Sequence, residues 1–124
     1  MRLLTTGLLL TAALSLSGPK LEFVHKRLIN YGDIIEGEMA SISIAIKNTG
    51  DKDLLILSAF PSCNCSSIDY PKNPISPGSF GSIAISIDTH GKSGSEIIVV
   101  KFLTNTKEQY SVIRIDLNVI PRTK

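Results

Sequence analysis

The chain has 124 residues, a formal net charge of +2 and no tryptophan. This length suits one domain built around a single core. The nearly neutral balance, without a basic stripe or a polybasic patch, argues against a partner that is nucleic acid or an anionic membrane surface. Because aromatic residues make up only 6% of the chain, we expect isoleucine, leucine and valine to build the core.

The N-terminal segment, MRLLTTGLLLTAALSLSGPK, has the layout of a secretory signal peptide. Arg2 precedes an uncharged stretch from Leu3 to Ser17, and small residues at Ser15 and Ser17 suit signal peptidase. The apolar stretch is shorter than the ~20 residues that a membrane helix needs. The sequence therefore predicts a signal peptide over residues 1–17, cleaved near Ser17–Gly18, and export of residues 18–124 to the periplasm or the extracellular space, with no stable membrane span in the mature chain.

From Phe23 onward the dominant hydrophobic period is two, which is typical of half-buried β-strands. The core face should include Ile44, Ile85, Ile115 and Leu117. Two runs, DLLILSAF and EIIVVKFLT, are more continuously apolar, as expected of strands that are partly covered on both faces. The predicted strands are Leu21–His25, Asn30–Ile35, Met39–Lys47, Leu54–Phe60, Phe80–Asp88, Glu96–Leu103 and Ser111–Ile120.

The segments between these runs are rich in residues that form turns. NTGDKD, NPISPG and THGKSG supply Gly, Asn and Pro, and TNTKEQ is predicted to be a polar hairpin connection. About seven short strands at this spacing predict an all-β, immunoglobulin-like β-sandwich. The only two cysteines, Cys63 and Cys65, are too close in sequence to form the inter-sheet bridge of an antibody domain.

Several segments resemble, in order, a known protein family. YGDIIEGE (31–38), IKNTGDKDLLI (46–56), SCNCS (62–66) and ISPG (75–78) are similar to segments of domain-of-unknown-function family 1573. The resemblance implies a secreted bacterial domain, of a kind frequent in Bacteroidetes, with an Ig-like fold similar to the abnormal-spindle, SPD-2 and hydin domains. The family carries no established activity, so the resemblance implies a fold and a compartment but no reaction.

The cysteine pair lies in the stretch FPSCNCSSIDYP and leaves several roles open. Two thiolates could contribute two ligands to copper(I), although a closed zinc site needs four ligands and the only histidines, His25 and His90, lie in no ligand motif. A thiol-redox catalyst would need a thiol of lowered pKa, and no thioredoxin-like pattern surrounds the pair. The remaining alternatives are structural: a local disulfide between Cys63 and Cys65, favoured by an oxidising compartment, or two reduced thiols that pack as small hydrophobic side chains.

The residue between the cysteines predicts a particular backbone shape. The family usually has glycine at this position, which suggests a positive φ, and Asn64 is among the residues that tolerate the left-handed region. We therefore expect Asn64 at or near positive φ, in a bend that follows the end of a strand at Pro61. On this expectation, Asn64→Val would destabilise the domain and Asn64→Gly would not.

The acidic residues are scattered, mostly at turns, and no serine has a histidine base at a recognisable spacing. The sequence therefore predicts no catalytic residues and no cofactor. The favoured interpretation is a non-catalytic exported module whose partner is an unidentified protein or cell-envelope component. The alternative is a periplasmic protein that handles copper(I) or exchanges thiols through Cys63 and Cys65.

Overall fold

A computed structural model describes residues 18–123 of the chain. The predicted signal peptide, residues 1–17, lies outside the described residues. No helix within residues 18–123 is long and apolar enough to cross a membrane. The elements are β1 (Leu21–Phe23), β2 (Leu28–Ile35), β3 (Met39–Asn48), β4 (Ile56–Pro61), β5 (Ser66–Asp69), β6 (Phe80–Asp88), β7 (Gly94–Thr104) and β8 (Tyr110–Ile120).

The eight strands form two four-stranded sheets, which confirms the predicted all-β, Ig-like sandwich. The first sheet has the order β1-β3-β6-β5 and the second has the order β2-β8-β7-β4. The strand pairs are antiparallel except β2 with β8, which run parallel. The chain passes from the first sheet to the second between β1 and β2, so its N-terminal strands contribute to both sheets.

The core lies between the two sheets and consists almost entirely of aliphatic side chains. The alternation in β3, β6 and β8 has the predicted phase, because Ile44, Ile85, Ile115 and Leu117 are all buried. Two phenylalanines complete the core, with the ring centroids of Phe23 and Phe102 6.4 Å apart. Inward-facing residues from both sheets therefore form one continuous cluster, as expected of a sandwich.

The structure corrects several strand boundaries and adds one strand. Strand β5 was not predicted, because Ser66–Asp69 is short and Ile68 is its only apolar residue. Strand β4 begins at Ile56 rather than Leu54, since Leu54 instead pairs with Ile75 in an isolated bridge. β1 is shorter and β2 is longer than predicted, because residues 24–27 carry the chain from one sheet to the other.

The predicted turns are present, and two of them depend on glycine. In the ISPG segment Ser79 N donates to Ser76 O at 2.9 Å, and Gly78 has a φ of 82°. Proline followed by a residue of positive φ is the pattern of a type II turn, which favours glycine at that position. The turn between β6 and β7 repeats this geometry, with Lys92 N donating to Thr89 O at 3.0 Å and a φ of 80° at Gly91.

Candidate functional site

The cysteine pair lies where the chain crosses from the second sheet to the first. Strand β4 ends at Pro61, as predicted, and β5 begins at Ser66. The Cα atoms of Cys63 and Cys65 are 5.1 Å apart, and their sulfur atoms lie at disulfide distance. Both side chains are partly buried and pack against the core. The crossover thus places the two sulfurs together without any rearrangement of the sheets.

Hydrogen bonds attach the two sides of this crossover to different sheets. On the β4 side, Ser62 N donates to Val99 O at 2.8 Å, and Val99 N donates to Ser62 Oγ at 2.9 Å. On the β5 side, Asp88 N donates to Cys65 O at 2.9 Å. Because Val99 belongs to β7 and Asp88 to β6, the cysteine pair lies between one anchor on each sheet.

The prediction of a positive φ at Asn64 is wrong. Within residues 18–123, Gln109 is the non-glycine residue with positive φ, at 72°. The bend is instead a turn in which Ser66 N donates to Cys63 O at 3.1 Å. A type I turn bends the chain with both central residues at negative φ and accepts most residue types, so Asn64 does not have to adopt the left-handed region.

The structure does not bring the two histidines into a metal-binding cluster. His25 lies between β1 and β2, and His90 lies in the turn between β6 and β7, with its Nδ1 3.6 Å from Glu36 Oε2. Residues 18–123 contain no group of three or more His, Cys, Asp or Glu side chains that could hold a metal ion.

A second feature, which the sequence analysis did not single out, is the outer face of the second sheet. Large apolar side chains cluster on it, opposite the core-facing positions of β7 and β8. Ile97 is 54% exposed, Phe60 is 48% exposed and Val112 is 41% exposed. We call this cluster the apolar face; its members are Leu28, Phe60, Ile97, Val99, Leu103, Tyr110 and Val112.

The strand register brings these side chains together. Lys101 pairs with both Phe60 on β4 and Val112 on β8, which gives one row across the face. Leu103 pairs with Tyr110 in the adjacent row, and residues paired directly across strands have their side chains in contact range. The members of the apolar face therefore lie on one side of four neighbouring strands, with the charged side chains of Lys101 and Arg114 between them.

Two positively charged side chains, Arg114 and Lys101, lie on this face. Arg114 pairs with a carboxylate, whereas Lys101 contacts an aromatic ring. Arg114 Nε donates to Asp116 Oδ1 at 2.7 Å, and this hydrogen bond, with the charge of Asp116, raises the pKa of Arg114 above its ordinary value. Lys101 Nζ lies 4.7 Å from the ring centroid of Tyr110, in a cation–π contact. Within residues 18–123 no carboxylate lies at salt-bridge distance from Lys101.

The outer face of the first sheet has small side chains at its centre, and its exposed large apolar residues, Met39 and Phe80, lie at the strand ends. At the centre, Ser43 Oγ lies 3.4 Å from Ser82 Oγ on the neighbouring strand. We call this surface the serine face; its members are Ser41, Ser43, Ala45, Ser67, Ser82, Ala84 and Ser86.

The sequence did carry a signal for the apolar face. The run EIIVVKFLT was interpreted as a strand partly covered on both faces. One face of β7 does lie in the core, through Ile98, Val100 and Phe102, but Ile97 on the other face is largely exposed. The continuous apolar pattern therefore marked a strand whose second face is left open in the isolated domain.

Comparison with known proteins agrees with this architecture. The model of the family described as protein of unknown function, DUF1573, matches residues 21–119. The chain belongs to this family. Its predicted resemblance is confirmed, and the match covers nearly all of the described residues. No curated protein sequence matches the chain.

Solved structures give the same fold at low sequence identity. A protein of unknown function from Porphyromonas gingivalis W83 has a TM-score of 0.70 and 18% identity, over 81% of this chain and 46% of that one. The ASH/PapD-like domain 7 of human CEP192 has a TM-score of 0.68 and 10% identity, over 98% of this chain and 100% of that one. The Vibrio cholerae protease VesB has a TM-score of 0.64 and 15% identity, over 81% of this chain but only 31% of its own.

Proposed function

We propose that this protein is an exported, non-catalytic Ig-like module that binds another protein through the apolar face. The observation that carries the proposal is the concentration of large exposed apolar side chains on the outer side of one sheet. Apolar patches larger than a few hundred Å² on soluble monomeric proteins mark interaction sites. The matched segments of the Porphyromonas and Vibrio proteins are each less than half of a longer chain, which also suits a module that acts beside a partner.

The composition of the face favours a protein surface as the partner. Interface cores are enriched in aromatic and aliphatic anchors and depleted of charge, and Phe60, Tyr110 and Ile97 have this character. Lys101, at the centre, calls for a carboxylate on the partner, because burying an unpaired ammonium group would be costly. The expected partner therefore presents an apolar surface that carries one acidic side chain opposite Lys101.

Binding by the face is better supported than strand addition at the neighbouring edge. Ser62 bonds to Val99, so the alternate residues Pro61 and Ala59 direct their backbone groups away from β7, and a register shift at Leu57 interrupts the regular edge before them. Pro61 has no N–H to donate, and Leu57 O already accepts a hydrogen bond from Tyr70 Oη at 3.3 Å. Proline on an edge strand is a common device against pairing with another strand.

In this proposal the cysteine pair has a structural role. Its sulfurs are close enough to form a disulfide in an oxidising compartment, and its neighbours are bonded to both sheets. The disulfide would hold the exit of β4, and with it Phe60, in the position that the apolar face requires.

The test is photo-crosslinking in the native host, with the probe placed on either outer face. A benzophenone amino acid replaces Ile97 on the apolar face or, as the matched control, Ser43 on the serine face. The expected result is a discrete covalent adduct from position 97 that is absent from position 43. Lys101→Glu in the same protein should abolish that adduct, since it places like charges opposite each other. Identical adducts from both faces, or none from position 97, would overturn the proposal.

A further inference from the structure

The turn that follows β3 holds the first described residues of the chain against the first sheet. Thr49 N donates to Lys20 O at 3.0 Å, and Asp51 N donates to Gly18 O at 3.1 Å. In the other direction, Gly18 N donates to Asp51 Oδ1 at 2.6 Å. The segment from Gly18 to Lys20 therefore exchanges hydrogen bonds with the turn along its whole length.

A buried asparagine organises the turn itself. The side chain of Asn48 is fully buried, and its Oδ1 accepts hydrogen bonds from Gly50 N at 2.9 Å and Lys20 N at 3.2 Å. Its Nδ2 donates to Lys52 O at 2.7 Å and to Ile75 O at 2.8 Å. A single amide group thus satisfies both sides of the turn and reaches the N-terminal segment.

Gly50 is required for the close approach of the two segments. A Cβ at position 50 would overlap Gly18 O and would lie 2.6 Å from Lys20 N. Both atoms belong to the backbone and cannot rotate away as the end of a side chain could. Because Gly50 has no side chain, the backbone of residues 18–20 can pack directly against it.

We propose that the Asn48–Asp51 turn is a binding site for the α-amino group that processing creates at Gly18. This inference rests on the proposed export, which predicts that a signal peptidase hydrolyses the Ser17–Gly18 peptide bond. Water is consumed, Ser17 departs with the new carboxylate, and Gly18 keeps its nitrogen as an ammonium group. The Gly18 nitrogen, already 2.6 Å from Asp51 Oδ1, then gains a positive charge beside that carboxylate.

Cleavage changes the strength of this contact without moving it. Before cleavage the nitrogen is a neutral amide with one N–H; afterwards it is an ammonium group with three. The Asp51 carboxylate accepts a hydrogen bond in both forms, so cleavage changes a bond between a neutral donor and a charged acceptor into an ion pair with its added Coulomb attraction. Capture of an N-terminal amine by a shaped backbone site is an established mode of recognition. The processed chain should therefore hold β1 more firmly, including Phe23 and its contact with Phe102.

The test compares two forms of the same polypeptide. Protein that starts at Gly18, released from a cleavable fusion, is studied with its amino group free or enzymatically acetylated, since the acetyl group restores a neutral amide as in the precursor. The free-amine form should melt about 2–5 °C higher than the acetylated form, as expected for a partly exposed ion pair in a domain of this size.

Substitutions in the turn test whether it causes the difference in melting temperature between the two forms. Asp51→Asn should remove the difference between the two forms, whereas Asp53→Asn, a nearby exposed carboxylate, should leave it intact. Gly50→Ala should also remove it, because the added Cβ displaces residues 18–20. Equal melting temperatures of the free and acetylated forms, or a difference that survives in Asp51→Asn, would overturn amine capture.

The mass of the protein recovered from its host tests the underlying export separately. A chain that begins at Gly18 agrees with both proposals. A chain that retains Met1 would contradict export and the physiological role of the site, even if the melting difference were found with recombinant protein.

Discussion

The two sheets of this sandwich are alike on their inner faces and opposite on their outer ones. Inside, buried isoleucines recur at alternate positions in strands of both sheets, and the two sets meet in one core. Outside, the serine face carries only small side chains at its centre, while the apolar face exposes Phe60, Ile97 and Val112. Because folding requires only the inner faces to be apolar, the outer faces are free to differ, and the proposed binding surface rests on that difference.

The largest expected loss of stability tests whether both sheets contribute equally to the core. Ile85→Ala in the first sheet and Ile115→Ala in the second should each lower the free energy of unfolding by about 2–5 kcal/mol, because both side chains are fully enclosed. Urea unfolding measures both variants. A loss below about 0.5 kcal/mol in either variant would show that the two sheets do not share one core.

The next prediction concerns Asn48, a buried polar residue in the otherwise apolar interior of the first sheet. Asn48→Ala should cost about 2–3 kcal/mol, since it removes a buried amide that bonds four backbone groups, those of Lys20, Gly50, Lys52 and Ile75. The matched control is Asn118→Ala, where an exposed side-chain bond to Asp33 is lost and the change should stay within about 0.5 kcal/mol. Equal losses in urea unfolding would mean that Asn48 does not organise the turn.

Sequence patterns predicted the regular part of this fold and missed what depends on tertiary contacts. The period of two placed Ile44 and Leu117 correctly, since alternation alone decides which face is buried. Strand β5 was missed because Ser66–Asp69 has almost no apolar signal and owes its conformation to pairing with β6.

The candidate sites show the same limit. The proximity of Cys63 and Cys65 follows from their spacing, but the conformation of Asn64 was predicted wrongly because more than one turn type can bend the chain there. Asn64→Val is now expected to be tolerated. The close packing of residues 18–20 against Gly50 could not be predicted, because that segment lies about thirty residues earlier in the chain.

A smaller loss of stability is expected when the cysteine pair in the connection between the two sheets is removed. The Cys63→Ser, Cys65→Ser double variant should lose about 1–2 kcal/mol of stability, because a disulfide that closes so short a loop removes little chain entropy from the unfolded state. Wild-type protein treated with a reducing agent should lose the same amount, and the double variant should not respond to reduction. If reduction leaves the unfolding midpoint of the wild type unchanged, the pair does not act as a crosslink.

The smallest expected effect on stability bears most directly on the contrast between the outer faces. Ile97→Thr and Val112→Thr keep a β-branched side chain and so preserve strand propensity. Both positions are already substantially exposed, at 54% and 41%, so each variant should stay within about 0.5 kcal/mol of the wild type in urea unfolding.

The same variants should weaken the crosslink from the apolar face when the probe is placed at Phe60. A partner would bury these side chains completely, and a threonine hydroxyl would enter the interface without a bonding partner. Ser43→Thr on the serine face makes the control, with no change in either measurement. A loss of stability in the threonine variants that matches the loss of crosslinking would mean that the apolar face serves the fold rather than a partner.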